Sequence, residues 1–359
     1  MNRALIQAMP GSPHSSPPAR TLGLFDKRLE GDDSLLELAR LRFAQAEMGA
    51  EMHAGTPEQL EWILRFRPSL MAPVTVHLPR DFNLASEPSR RRIREFAARF
   101  SGQVYGMVLH DHPELAATPE VFLRAAREMD AMLRTVHPCP LLFVEYAAGL
   151  EPRVFADFFE AMRDAEQISA CIDIGHVGIR QIRVAYAALH PGEDICALKA
   201  QPDKWRESLP DIDKAVAAAL PAVLELIETL GRLGKPMHFH LHDGHPLSTF
   251  SPFGVSDHLS FLAEIPLAFE YRRRRSLPLM FGSTGLAQLV STAIRALGPS
   301  RLSFTLELHP TMGRLALGDA SGLFQHWRDK SNAEKMNHWL SVLAQNHRLL
   351  TELALKAMP

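Results

Sequence analysis

Eight short apolar runs, most of them followed by a helical pattern, constrain this chain more than any other feature. They are TLGLFD (21–26), GAEMHAG (49–55), APVTVHLP (72–79), QVYGMVLH (103–110), PLLFVEY (140–146), ISACIDIGH (168–176), PMHFHLHD (236–243) and RLSFTLELHP (301–310). Between them, apolar residues recur at intervals of three and four over 34–47, 57–67, 87–100, 117–135, 153–166, 211–233 and 283–297, the spacing of amphipathic helices. Three of these stretches, TPEQLEWIL, TPEVFLRAAREM and EPRVFADFFEAM, open with Thr or Glu followed by Pro, the chemistry of a helix start. Strand followed by helix, eight times over, predicts an α/β fold of the (β/α)8 TIM-barrel type. A doubly wound open sheet alternates in the same way, but it normally carries a glycine-rich phosphate turn after an early strand, and none is present.

The barrel is expected to form one domain over 21–359, with 331–357 as its closing helix or an oligomer contact. Residues 1–20 are rich in Pro and Ser and lack an apolar h-region; they read as a disordered leader rather than a signal peptide. The connections after the sixth and seventh runs are too long for simple crossovers, so 181–210 and 244–280 are expected to be extended loops over the barrel mouth, the face on which such folds place their chemistry. The 359 residues are 46% hydrophobic with a net charge of -2. That balance suits a soluble core and exerts no global pull on nucleic acid or an anionic membrane. No apolar run approaches the ~18 residues of a membrane span. Cys139, Cys171 and Cys196 show no CxxC spacing, which argues against a disulfide framework or a cysteine-built zinc site and fits a reducing, cytoplasmic setting.

Side chains alternate between the two faces of a strand. Val74 and Val76 take the helix side, leaving His77 inward; Leu142, Val144 and Tyr146 leave Glu145 inward with Phe143; Ile172 and Ile174 leave Cys171 and Asp173; Leu306 and Leu308 leave Thr305, Glu307 and His309. Met237, Phe239 and Leu241 turn His238, His240 and His242 to the lumen, and His110 closes its strand likewise. Six strands thus end on an inward His77, His110, Glu145, Asp173, His240 or Glu307. Unpartnered buried carboxylates and imidazoles are costly. A divalent cation turns their mutual repulsion into coordination, and imidazole with carboxylate suits Zn²⁺, Mn²⁺, Co²⁺ or Fe²⁺. Within HFHLHDGHP, His240 is the favoured ligand and His242 the second candidate, while His238 reads as a core histidine. Asp243 and His245 are either supporting partners or loop residues.

The motifs VEY with Glu145, DIGH with Asp173 and His176, HLHD with His240 and LELH with Glu307, in this order on successive strands, resemble the xylose-isomerase-like TIM-barrel superfamily over about residues 50–310. That superfamily includes sugar phosphate isomerases and epimerases and endonuclease IV. The resemblance implies a divalent metal (Mn, Zn or Co, one to three ions) on Glu145, Asp173, His240 and Glu307, with His176 touching substrate or a further metal. In the epimerase branch, Glu145 and Glu307 would also remove and return the proton next to a carbonyl; the arginine those enzymes place six residues after the histidine ligand is here Pro246. In the endonuclease IV branch, His77 and His110 complete a cluster and Glu145 bridges two metals. A third metal there uses Asp-x-His, and this chain has the adjacent pair Asp257 and His258 in VSDHLS. Substrate binding is assigned to His176, His242, Asp257 and His258. Arg90, Arg91, Arg92 and Arg94 read as a solvated helix face, and Arg272 to Arg275 as a surface run with a possible phosphate role. The expectation is a metal-dependent isomerase or epimerase acting on a small polyhydroxylated or phosphorylated substrate. An endonuclease IV-like phosphodiesterase or hydrolase is the alternative, and a non-catalytic metabolite-binding barrel a third reading.

Overall fold

The computed structural model describes residues 20–24, 33–67, 72–201, 204, 207–243, 280–307 and 333–357. Expectations for the leader up to residue 19, and for His245, Pro246, Asp257, His258, Arg272 to Arg275 and His309, lie outside the described residues.

Eight strands, β1 Arg20–Leu24, β2 Gly49–His53, β3 Val74–His77, β4 Gly106–His110, β5 Leu141–Glu145, β6 Ile168–Asp173, β7 Met237–Leu241 and β8 Leu302–Glu307, pair in sequence order. Every pairing is parallel, and β1 pairs with β8 to close the cylinder. This is a (β/α)8 TIM barrel. The helices are α1 Asp33–Gln45, α2 Pro57–Leu64, α3 Glu87–Arg99, α4 Glu114–Ala117, α5 Pro119–Leu133, α6 Pro152–Ala161, α7 Ile174–Leu189, α8 Leu209–Val216, α9 Ala219–Gly231, α10 Gly282–Leu297 and α11 Ala333–Ala357. The closing helix α11 packs on α1, α10 and β8. The three Pro-led starts behave as their chemistry predicts, with Pro57, Pro119 and Pro152 in the first turn. Only Thr56 adds a side-chain cap, accepting from the Gln59 amide.

Four expectations are corrected. The stretch 117–135 breaks at Thr118, and 211–233 breaks at Ala217 and Ala218. In both, a proline follows (Pro119, Pro221), and a proline ring clashes with the carbonyl four residues back and offers no N–H to it. The strand expected over 168–176 stops at Asp173, and Ile174 starts α7. Asp173 caps that helix, its carboxylate accepting from the His176 amide at 2.8 Å, so His176 stands in a helical first turn. The extension expected over 181–210 is partly helix: 181–189 continue α7, which buries Ile182 and Tyr186 against its neighbours α8 and α9.

Inside the cylinder the side chains form layers. Val108, Phe143 and Cys171 make a small apolar floor, closed below by Tyr105 and Leu141, with the Arg20 guanidinium 4.4 Å from the Tyr105 ring centroid. The much larger core lies between strands and helices, where Val76, Val144, Phe239 and Leu306 turn outward. Barrel stagger sets the height of the polar rim. His110 is level with Glu145, and Asp173 with His240. Crossing from β5 to β6, and from β7 to β8, the polar residue climbs two positions, because Glu145 pairs with Cys171 and His240 with Thr305.

Candidate metal centre

Each ligand-type side chain arrives by the alternation of its own strand, and the register brings them to one spot. His240 Nδ1 lies 3.2 Å from Glu307 Oε1, 3.3 Å from Glu145 Oε1 and 4.0 Å from Asp173 Oδ2. The four residues assigned a common metal are thus neighbours, from β5, β6, β7 and β8, although their donor atoms do not gather into one set close enough to share a single ion among the described residues. On one flank Glu145 Oε2 sits 3.1 Å from His77 Nε2 and 3.4 Å from His110 Nε2. On the other, Asp173 Oδ1 accepts from His242 Nε2 at 2.9 Å, Asp173 Oδ2 is 3.5 Å from His176 Nε2, and His242 Nε2 is 3.7 Å from Glu307 Oε2. Seven of the predicted residues besides His240 are thus within one linked cluster; Asp257 and His258 lie outside the described residues.

All members are buried or nearly so. Burial would push the Glu145 carboxyl up, but His110 and His240 hold it well below the usual carboxylate range. Asp173 is likewise held low, with His176 and His242 outweighing burial. His242 is raised to about 9, because Asp173 and Glu307 overcome the burial that opposes its charge. The same contest holds His240 well above the imidazole range, with Glu307, Glu145 and Glu51 prevailing over burial. His110, farther from compensating charge, is pushed by burial down to about 4. Glu145 and Asp173 are therefore held in their ionised forms, and His110 is held neutral with a lone pair to offer.

These residues fit a divalent cation. Four buried carboxylates, Glu51, Glu145, Asp173 and Glu307, lie within 4.0 Å of His240, a concentration of acceptors that His240, His242 and His77 balance only in part without a cation. Neither ring nitrogen of His240 makes an aligned hydrogen bond among the described residues. Donor atoms gather into five sets close enough to grip an ion: His77, His110 and Glu145; Glu145, Asp173 and His176; Asp173, His242 and Glu307; Glu51, His77 and His240; and Cys171, His238 and His240.

No family model matches the sequence, and no curated protein does. Among solved structures the chain is similar to the carboxyl transferase domain of Rhizobium etli pyruvate carboxylase. With pyruvate and biocytin bound, that domain shows 11% identity and a TM-score of 0.40 over 94% of this chain and 48% of the other. With 3-hydroxypyruvate the values are 11% and 0.39, over 92% and 48%. The chain spans about half the length of those matched chains.

Sequence reasoning missed Glu51 and His53 on β2. The signal was available, because Ala50 and Met52 face the helices and alternation turns 51 and 53 inward. His53 lies 4.6 Å from the His77 ring centroid. With Gln59, His77, Arg80 and His110 it lines a cavity of about 390 Å³ beside the cluster. Asp243 proves to be a structural tie: its carboxylate accepts from the Phe281 and Gly282 amides, joining the end of β7 to the start of α10. His238 is a satisfied core histidine, 2.6 Å from Ser303 Oγ and 3.0 Å from Glu51 Oε2.

Gly175 was also missed. A Cβ there would meet His242 Cε1 at 2.0 Å, and the buried ring has no slack. We expect Gly175→Ala to cost about 1–3 kcal/mol of stability, the usual range for overpacking. It should also weaken, at least about tenfold, the hold on any divalent cation bound there, by moving His242 off Asp173. Chelator competition measures the second effect; wild-type affinity in a folded variant would remove His242 from the centre.

Proposed function

We propose that the barrel is a divalent-metal-dependent enzyme with a multinuclear centre, acting on a small substrate that carries a phosphoester. The observation that supports this best is the chaining of three of the five donor sets through shared carboxylates: Glu145 belongs to two and Asp173 to two. Carboxylates shared in this way suit ions a few ångströms apart. His77, His110 and Glu145 would hold one ion, Glu145, Asp173 and His176 a second, and Asp173, His242 and Glu307 a third, with His240 Nδ1 at the common centre. Bound there, such ions polarise an ester oxygen, activate water and offset phosphoryl charge.

The chain's own groups set the rest. His53, Gln59 and Arg80 line the cavity that opens on the His77 and His110 side, placing a cation and two hydrogen-bonding side chains where a small anion would enter. The cavity volume and the net charge of -2 favour a small molecule over a nucleic-acid duplex. The resemblance to the endonuclease IV branch, with histidines at 77 and 110, points to the same chemistry.

Proton transfer beside a carbonyl is the second reading, favoured because Glu145 and Glu307 both approach the same nitrogen within 3.3 Å. They would then be the acid and base. Elemental analysis of protein purified without chelator, with turnover of a chromogenic phosphoester, separates the two. About two or three equivalents with ester turnover support the first. About one equivalent, with solvent deuterium entering a ketose, supports the second. Less than about half an equivalent overturns both, because the buried charges would then be balanced within the protein.

A further inference from the structure

Beneath the cluster, one buried carboxylate is left unused by the proposed chemistry. Glu51, 1% exposed on β2, is held by a dedicated set of donors. Its Oε2 accepts from Thr75 Oγ1 at 2.7 Å, Thr305 Oγ1 at 2.7 Å and His238 Nε2 at 3.0 Å. His238 is in turn oriented by Ser303 Oγ at its other nitrogen. Its Oε1 is directed elsewhere, 3.0 Å from His240 Nε2. The opposite nitrogen of that ring, Nδ1, faces Glu145, Asp173 and Glu307.

We propose that Glu51 is a positioning residue for His240: its anchored carboxylate keeps a proton on Nε2 and presents Nδ1 to the cation. The inference rests on the metal-centre reading above. Two physical points support it. A carboxylate accepts but cannot donate, so once a cation sits at Nδ1 the one remaining ring proton is at Nε2, and Glu51 Oε1, 3.0 Å away though out of line with that N–H in this structure, is the acceptor beside it. A carboxylate behind a histidine ligand also raises that ligand's basicity and fixes its plane. Glu51 is not free to drift toward the cation, because three donors from three strands hold its other oxygen. The alternative is a direct ligand role, since Glu51, His77 and His240 also come close enough to hold an ion among themselves. In that arrangement His240 would have to coordinate through Nε2.

Zinc binding by the full chain decides between them. In Glu51→Gln, which preserves shape and removes the charge, zinc stoichiometry is expected to equal wild type while affinity falls about 10–100-fold, the usual effect of losing such a partner. ¹⁵N NMR of histidine-labelled, zinc-loaded wild type should show His240 protonated at Nε2 and coordinated through Nδ1. Thr305→Val, which removes one donor to Glu51, should show a smaller fall in affinity and keeps the test open if Glu51→Gln does not fold. Affinity within twofold of wild type in the folded variants overturns the proposal. So does coordination through Nε2, or the loss of a whole zinc equivalent in Glu51→Gln, which would make Glu51 a ligand. Wild type that takes up no zinc overturns the metal reading and this proposal with it; wild type that binds zinc normally beside an unaffected Glu51→Gln overturns this one alone.

Discussion

Replacing Glu145 by Gln is expected to abolish activity and remove at least one metal equivalent. Glu145 belongs to two donor sets, and one of its oxygens serves His77 and His110 while the other faces His240. The amide keeps the volume but loses the charge that draws ions to both sites. Partners that merely support a ligand change affinity by about 10–100-fold, so a shared ligand should exceed about a hundredfold. The change has a second signature. With its anion gone, His77 loses a neighbour that favours its charged form, so the ion-free variant should bind fewer protons near neutrality than wild type. Metal analysis, ester turnover and proton uptake on unfolding together check this; a variant with full metal content and full turnover would assign the bridge elsewhere.

Removing the metal should destabilise the barrel strongly and in a pH-dependent way. At free ion a thousandfold above its dissociation constant, one site contributes about 4 kcal/mol. A transition temperature lower by on the order of 5–10 °C in chelator is therefore expected for a chain of this size. The sign of the pH effect follows from the raised histidines. In the ion-free protein His242, at about 9, contributes stability that is fully present below its ordinary value and is lost as pH rises through about 9. A cation must displace that proton, so metal affinity should rise from pH 6 to 9 while the ion-free barrel weakens. The gap in transition temperature between loaded and stripped protein is expected to widen over that window. A gap that narrows would show that the histidines do not coordinate.

Much of this site was legible in advance because the signals are local. Strand alternation is a property of consecutive residues, so His77, His110, Glu145, Asp173, His240 and Glu307 could be turned inward before any neighbour was known, and the structure brings all of them into one cluster. The helix breaks were legible too, in Pro119 and Pro221, and were passed over because the apolar spacing continues across them. The end of β6 was harder: nothing in IDIGH itself distinguishes a continuing strand from an Asp173 cap. Glu51 and His53, at the end of β2, obeyed the same alternation and were legible by it.

The sequence by itself determined the eight-fold repeat, the inward set and the donor types, since each depends on residues a few positions apart. Tertiary structure alone decided which of those donors come close enough to share an ion. That depends on the stagger between neighbouring strands, which lifts Asp173 and Glu307 two residues above the positions paired with Glu145 and His240. It depends as well on contacts between residues far apart in the chain, such as Glu51 beneath His240 and Gly175 against His242. Such distances are products of closing the cylinder, and no local pattern encodes them.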